Sequence, residues 1–170
     1  MKKLVYSFLI VFTLTSCQQH KIGFVDNVIL INDYQERLDI ESALQAKIEV
    51  FKLRTDSLRS AFELEIKEAE LRARKMSQAS IQKLSQELQQ KEQLLQQQVQ
   101  FEQQQIAKES QMLNDSIINK VKSFIQSYGQ ANNFNFILGS NEAGSVLFGE
   151  DSSDLTQEIL KALNEDFSKN

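Results

Sequence analysis

Residues 33–129 decide the fold, and they read DYQERLDIESALQAKIEVFKLRTDSLRSAFELEIKEAELRARKMSQASIQKLSQELQQKEQLLQQQVQFEQQQIAKESQMLNDSIINKVKSFIQSYG. Neither glycine nor proline occurs between Asp33 and Gly129, and the run is rich in Gln, Glu, Lys, Leu and Ala. Because these residue types favour helices and both helix breakers are missing, the run predicts one or more long helices. As one straight rod it would measure roughly 140 Å, at about 1.5 Å per residue.

Short apolar segments typical of β-strands lie on either side of this run, at 21–26 and within 134–148. An isolated strand is not stable in water, so these segments need each other as partners. They can meet only if the helical run folds back on itself. The sequence therefore predicts an α+β, mostly α protein, with a helical hairpin over 35–128 and a small β-containing head built from 21–34 and 129–170.

Apolar side chains recur through the run mostly in steps of three and four residues, which is the spacing of a coiled-coil seam. The first-arm seam consists of Ile40, Leu44, Ile48, Phe51, Leu58, Phe62, Ile66, Ala69, Ala73 and Met76, with Thr55 between Phe51 and Leu58. The second-arm seam consists of Ile81, Leu84, Leu88, Leu95, Val99, Ile106, Leu113, Ile117, Val121, Phe124 and Tyr128. Because Lys91, Glu102 and Glu109 also occupy seam positions, we expect the second arm to pack more loosely.

The ends of the hairpin carry weaker signals. Asp33 followed by Glu36 has the spacing of a capping box, which predicts that the first arm begins there. The midpoint of 35–128 lies near residue 81, and three serines, the weakest helix formers nearby, lie close to it. We therefore expect the turn of the hairpin within about 76–86.

The C-terminal part predicts the rest of the head. Gly129 is expected to end the second arm, and a half-buried strand should follow at 134–138 and another at 145–148. Asp154 is expected to cap a final amphipathic helix. With the first strand, this gives about three strands and one helix, which is little for a lone core, so we expect oligomerisation to complete it. The expected core residues of the head and oligomer are Ile22, Phe24, Phe134, Phe136, Leu138, Val146 and Phe148.

The N-terminus reads as a targeting segment. Two lysines precede a short apolar stretch, and Leu14-Thr15-Ser16-Cys17 resembles the bacterial lipobox, in which the cysteine carries the lipid. We expect residues 1–16 to be a signal peptide and 17–20 a lipidated cysteine and tether. Gln18 favours the outer membrane. An ordinary secretory signal or a short uncleaved anchor remain alternatives.

Charge and composition exclude several functions. The chain has a formal net charge of −4 and no basic stripe, so nucleic-acid binding is not expected. With one His and one Cys, and without a glycine-rich phosphate loop, it offers no metal set or catalytic constellation, so we expect neither enzymatic activity nor a cofactor. One basic cluster, Arg72, Arg74 and Lys75, lies near the expected tip. It is either a solvated helix face or a contact for acidic lipid headgroups or clients.

Several segments together resemble the OmpH/Skp family of periplasmic chaperones. They are Lys21-Ile22-Gly23-Phe24-Val25-Asp26, Tyr34, the Gln/Glu-rich run, Phe136-Ile137-Leu138, Gly144-Ser145-Val146-Leu147-Phe148, Asp154-Leu155-Thr156, Leu160 and Leu163-Asn164. The resemblance implies a homotrimer with a small β-barrel-like body and three helical-hairpin tentacles, which enclose unfolded outer-membrane proteins without ATP. This chain departs from the basic, unlipidated members of the family, because its pI is near 5.1 and it carries the lipobox.

The sequence thus favours a periplasmic holdase that is anchored to the outer membrane through Cys17. Its expected partners are unfolded outer-membrane proteins, further copies of itself and the membrane, and no nucleic acid. The alternative is a lipid-anchored coiled-coil spacer or adaptor of the cell envelope, which would have no need of a head with paired strands. The expected client contacts are apolar arm residues off the seam, unless these are peripheral core or incidental exposed residues: Leu64, Leu71, Leu94 and Phe101.

Overall fold

The computed structural model describes residues 20–141 and 144–169. Its elements are β1 (Ile22–Asp26), α1 (Asn27–Asn32), α2 (Gln35–Ala73), α3 (Gln78–Ala131), β2 (Phe136–Ser140), a 3-10 turn (Asp151–Ser153) and α4 (Thr156–Phe167). Contacts divide the chain into two compact units. Asp33–Lys120 forms the hairpin, and the described residues on either side of it form the head. The predicted signal segment and Cys17 lie outside the described residues.

The turn of the hairpin occupies residues 74–77, so only its last two residues fall within the expected window. The backbone N–H groups of Lys75 and Met76 each donate to a carbonyl three residues earlier, at 3.1 Å. Ser77 then caps α3, because its Oγ accepts a bond of 3.4 Å from the N–H of Ser80. A serine acts here as the start signal of the second arm, which places the turn earlier than the midpoint estimate.

The start of the first arm differs from the prediction. Asp33 does not cap it, since α2 begins at Gln35 and its N-cap residue is Tyr34, without a side-chain capping bond. The capping carboxylate belongs to Asp26, whose Oδ1 accepts from the N–H groups of Val28 at 2.8 Å and Ile29 at 3.0 Å. This cap starts the short helix α1 directly after β1, an element that the sequence reading missed.

Strand β1 pairs with β2 in parallel, in the register Ile22↔Phe136 to Asp26↔Ser140. The early and late β segments are therefore neighbours, as the sequence predicts. The prediction of a strand at 145–148 is wrong, because these residues adopt bends and coil. In the described part of the head, a single parallel bridge between Phe24 and Asp154 takes the place of a third strand.

Helix α3 does not stop at Gly129 but continues to Ala131. Its end is a Schellman motif, in which Phe134 N–H donates to the carbonyl of Gly129 at 2.9 Å and Asn133 N–H to that of Gln130 at 3.3 Å. Asn133, with φ of 56°, takes the left-handed conformation that Gly129 was expected to supply. An asparagine tolerates this conformation better than most residues.

The head has a small core of its own, made of Val25, Leu30, Leu155, Ile159 and Leu163, all buried. Helix α1 packs against α4 through Leu30, so the missed element supplies a central core residue.

Thr156 joins the start of α4 to β1. Its Oγ1 accepts from the N–H of Asp26 at 2.8 Å and donates to Asp154 Oδ1 at 2.5 Å. The Asp154 carboxylate also accepts from the N–H of Thr156 at 2.9 Å, so it holds the first turn of the final helix as predicted, although Leu155 is the N-cap residue.

Candidate binding surface

The two arms of the hairpin meet along the seam that the sequence predicts. Within Asp33–Lys120, every predicted apolar seam position is buried or half-buried except Ile48, which is exposed. Ala69 and Ile117 are the most completely buried of them. The coiled-coil-like periodicity is therefore confirmed by the packing.

The charged seam positions of the second arm do not simply loosen it, because Lys91, Glu102 and Glu109 are each ion-paired with the first arm. A further pair joins Lys120 Nζ to Glu36 Oε2 at 2.5 Å. These contacts, called the ladder below, are Glu36–Lys120, Lys47–Glu109, Arg54–Glu102 and Glu65–Lys91.

The ladder fixes an antiparallel register. Its members lie eleven, seven and eleven residues apart along the first arm, and the same steps run backwards along the second. Steps of seven and eleven residues are close to two and three helical turns, so the pairs fall on one side of each helix. Because exposed ion pairs each contribute only about 0–1 kcal/mol, the ladder specifies alignment more than it adds stability.

The carboxylate of Glu36, at one end of the ladder, has two hydrogen-bond donors next to it. Its burial alone would raise its pKa, but it accepts hydrogen bonds from Lys120 Nζ and from the Tyr34 hydroxyl. These bonds and the charge of Lys120 hold the pKa of Glu36 below its usual value. The Glu36 carboxylate therefore stays ionised to a lower pH than an unpaired glutamate would.

The four residues that the sequence singles out for client contact are all exposed. Leu64, Leu71, Leu94 and Phe101 keep between 59% and 65% of their surface accessible. Side chains of this kind at the seam are half-buried, so these four lie off it, as expected. Their role in binding stays a prediction.

Sequence reasoning missed Leu53, which is 61% exposed, and two further residues that repeat the positions of the chosen four, Val50 and Met112, which are each 62% exposed. Residue spacing in the sequence could have identified both Val50 and Met112. Val50 lies two heptads before Leu64, and Met112 lies eleven residues after Phe101, so each repeats the helical face of a residue that was chosen. The apolar face, as the term is used below, consists of Val50, Leu64, Leu71, Leu94, Phe101 and Met112.

Two grooves flank the seam. Lys47 and Arg54 line one of them together with Phe101 and Gln98. Thr55 and Arg59 line the other, together with Gln96 and Gln100. Since Gln98 is two residues, or about 200° of rotation, from both Gln96 and Gln100, the grooves open on different sides of the hairpin.

The apolar face belongs to the side with Phe101. Val50 follows Lys47 by three residues and precedes Arg54 by four, so it shares their side of the first arm. Leu64 and Leu71 continue Val50 in heptad steps. The strongly exposed apolar residues of the described hairpin are thus concentrated on one side of it, and Leu53, three residues after Val50, adjoins them.

The basic cluster lies at the tip of the hairpin, where the sequence places it. Arg72 belongs to the last turn of α2, and Arg74 and Lys75 belong to the turn itself. All three are exposed. Their charges are therefore presented at the end of the hairpin.

The head exposes apolar residues as well. Leu147 and Phe148 are 91% and 86% exposed. Among the residues expected in the core of the head and oligomer, Phe24, Phe134 and Val146 are half-buried, whereas four are exposed in the single chain: Ile22, Phe136, Leu138 and Phe148. Other residues form the buried core of the single chain. A role for these four in an oligomer stays a prediction.

Two features are absent from the described residues. They contain no group of three or more His, Cys, Asp or Glu side chains placed to hold a metal ion. None of the helices within 20–141 and 144–169 combines the length and apolarity that a membrane crossing requires.

Comparison with known proteins places the chain in a family. The family of OmpH-like outer membrane proteins matches residues 21–163, so the chain belongs to it. Among solved structures, the fold is similar to that of a protein from Caulobacter crescentus described as an OmpH-like outer membrane chaperone, with a TM-score of 0.76 and 16% sequence identity. The match covers 86% of this chain and 85% of that one. None of the curated proteins matches this chain.

Proposed function

We propose that this protein is an ATP-independent periplasmic holdase, which binds unfolded outer-membrane proteins in a cavity between helical tentacles and prevents their aggregation. The observation that carries the proposal is the apolar face, with its six exposed apolar side chains on one side of the hairpin. Exposed apolar surface of this kind marks an interaction site. Membership of the OmpH-like family and the likeness to a structure described as a chaperone support the same role.

A surface of this form suits a client without a fixed shape. Its apolar side chains are spread along both arms and do not converge in one deep pocket. Each contact with an unfolded chain is weak, but many contacts in one cavity raise the overall affinity through effective concentration. Binding the unfolded client lowers the concentration that is free to aggregate, which needs no ATP.

The proposal includes the assembly and location of the protein. We infer a homotrimer whose exposed head residues Ile22, Phe136, Leu138 and Phe148 are covered by neighbouring copies. Lipidation of Cys17 would hold the assembly at the outer membrane, on its periplasmic side. The basic tip would then reach acidic headgroups or acidic parts of clients.

The apolar face also separates this proposal from the alternative of a lipid-anchored spacer or adaptor. A spacer needs a stiff hairpin and polar surfaces, and gains nothing from apolar side chains that face water. A defined, folded partner recovered with the lipidated protein would favour the spacer.

The test replaces Leu64, Leu71, Leu94 and Phe101 together with Ser. A urea-unfolded outer-membrane barrel is diluted into buffer with the mature protein in excess, and light scattering follows aggregation. The native protein should suppress scattering, and the variant should lose most of this effect because its apolar contacts are gone. No suppression by the native protein would overturn the proposal.

A matched control places Ser at four exposed polar positions of the second arm: Gln89, Gln96, Gln100 and Gln103. This variant should suppress scattering like the native protein. Both variants should keep nearly the native melting temperature, since exposed positions contribute little to stability. A large stability loss in the apolar variant alone would assign its residues to the packing of the arms.

A further inference from the structure

Glutamine is distributed very unequally between the two arms. Residues 78–112 of the second arm contain fourteen glutamines, whereas α2 contains only Gln35 and Gln45. Charged residues show the opposite trend, since they are frequent along α2. The second arm therefore has an outer surface of different chemistry from the first.

Three of these glutamines lie beside the residues that the second arm contributes to the apolar face. Gln90, Gln97 and Gln104 follow each other in heptad steps, four residues before or three residues after Leu94 and Phe101. All three are exposed. Lys91 and Glu102, which are close to them in sequence, are engaged in the ladder. Between residues 90 and 105 the charged side chains on this side of the helix are thus neutralised in ion pairs.

The neutral strip, as it is called below, consists of Leu94 and Phe101 with Gln90, Gln97 and Gln104; the exposed Lys108, one heptad after Phe101, ends it before Met112. A glutamine amide both donates and accepts hydrogen bonds, so it can satisfy the N–H and the C=O of a peptide group. The apolar side chains between the amides can cover apolar side chains of the same segment. Charged groups would lose hydration here without gaining a partner.

We propose that the neutral strip binds uncharged, extended segments of the unfolded client through their main chain, so that capture does not depend on the client's charge. The inference rests on the proposed function and names the part of the client that is recognised. From residue 90 to 104 the helix rises about 21 Å, so the strip can line an extended client segment of about six residues.

Binding by the neutral strip and binding by opposite charges differ in how they respond to charges introduced into the binding surface. Binding by opposite charges is strengthened by one sign of charge and weakened by the other. Hydrogen bonds to a main chain, in contrast, are weakened by either sign, because a charged side chain must be desolvated against a neutral segment. Charged pairs at a surface are also screened by salt, whereas contacts between neutral groups are not.

The experiment measures the affinity of the mature protein for a fluorescently labelled, urea-unfolded outer-membrane barrel. The strip variants are Q90E/Q97E/Q104E and Q90K/Q97K/Q104K. The control variants are Q89E/Q96E/Q103E and Q89K/Q96K/Q103K, at exposed positions one residue earlier, which lie about 100° around the helix towards the groove that Gln96 lines. The glutamate control also perturbs the helix, because Q96E replaces the hydrogen bond that Gln96 donates to Glu92 by repulsion between two carboxylates.

Both strip variants should bind the client at least about tenfold more weakly than the native protein, a loss of about 1.4 kcal/mol. The controls should remain within about twofold. The native affinity should also change less than about twofold between about 0.05 and 0.5 M NaCl.

The experiment distinguishes a failure of the proposed function from a failure of the neutral strip. A native protein that does not bind the unfolded barrel overturns the proposed function. A native protein that binds it, together with strip variants that match their controls, overturns the neutral strip alone. Tighter binding by either charged strip variant, or a tenfold loss of native affinity in salt, also overturns the strip, because both are signs of capture by charge.

Discussion

At the scale of single residues, Tyr128 shows how the head ties the end of α3 to the final helix. Its hydroxyl donates to Glu158 Oε1 at 2.5 Å, and its ring lies 6.3 Å from that of Phe134. Burial, the hydrogen bond to Glu158 and the charge of Glu158 raise the pKa of Tyr128 to about 12. Since folding favours the protonated phenol, its contribution to stability is present below pH 10 and is lost as the pH rises towards 12.

We expect this to appear in a titration of phenolate absorbance. Beyond residues 1–16 the chain contains only Tyr34 and Tyr128, so the Y34F variant of a chain without those residues reports Tyr128 alone. Its midpoint should lie near 12, and E158Q should move it towards 10 because the carboxylate charge is lost, although burial of the phenol remains. Equal midpoints with and without Glu158 would contradict the interaction.

Tyr34 is the largest fully buried side chain described, and its hydroxyl donates to Glu36. Y34A should lower the free energy of unfolding by about 3–5 kcal/mol, because it leaves a cavity. Y34F keeps the ring and should cost only about 1 kcal/mol. Urea unfolding of the mature protein measures both. Similar losses for the two variants would show that the hydroxyl, and not the packing, dominates.

At the scale of elements, the ladder explains how two long helices with repetitive sequences keep one alignment. A seam that repeats every three or four residues could slip by a heptad with little loss of apolar contact. A slip of seven residues would separate all four ladder pairs and form only one new pair of opposite charge, because the spacings are eleven, seven and eleven. The irregular spacing thus disfavours the shifted alignments.

Charge reversal tests this role. E102R places two arginines opposite each other at Arg54 and should destabilise the hairpin by about 1 kcal/mol, whereas R54E/E102R restores the pair and most of the stability. Urea unfolding compares the three proteins. If the double variant were no more stable than E102R, the contact between these positions would be disproved.

Much of the hairpin could be predicted because helix periodicity is a local signal. The seam, the basic tip and the exposure of Leu64 and Phe101 all follow from residue spacing. What the sequence could not reveal depends on partners far along the chain. The placement of Leu30 in the head core required α1 to pack on α4, and the seam charges required the register of the other arm before they could be understood as ion pairs.

At the scale of the whole molecule, the head is a small core with much apolar surface left outside it. Leu147 and Phe148 are almost fully exposed, and Phe136 and Leu138 on β2 are exposed too. A two-stranded sheet with an uncovered apolar surface is poorly stable on its own, so a further copy of the chain is the partner we expect.

The expected result is a trimer of the mature protein in light scattering, with a mass about three times that of the chain. F136D/F148D should dissociate it into monomers, because burying two carboxylates in the interface is costly. The arms of the variant should remain helical by circular dichroism. A native monomer, or a variant that still forms trimers, would contradict this assembly.

The parallel pairing of β1 with β2 has a consequence for how the protein is made. Closing a loop of about 110 residues in an unfolded chain would cost about 4 kcal/mol of entropy. Once Glu36 and Lys120 have met, however, only short segments separate the two strands, so an early hairpin removes most of that cost. During synthesis the arms can therefore fold as they emerge, while the N-terminal strand must wait for the last quarter of the chain. Any chain that ends before residue 136 would leave a folded rod with an unpaired strand, which cellular proteases can recognise.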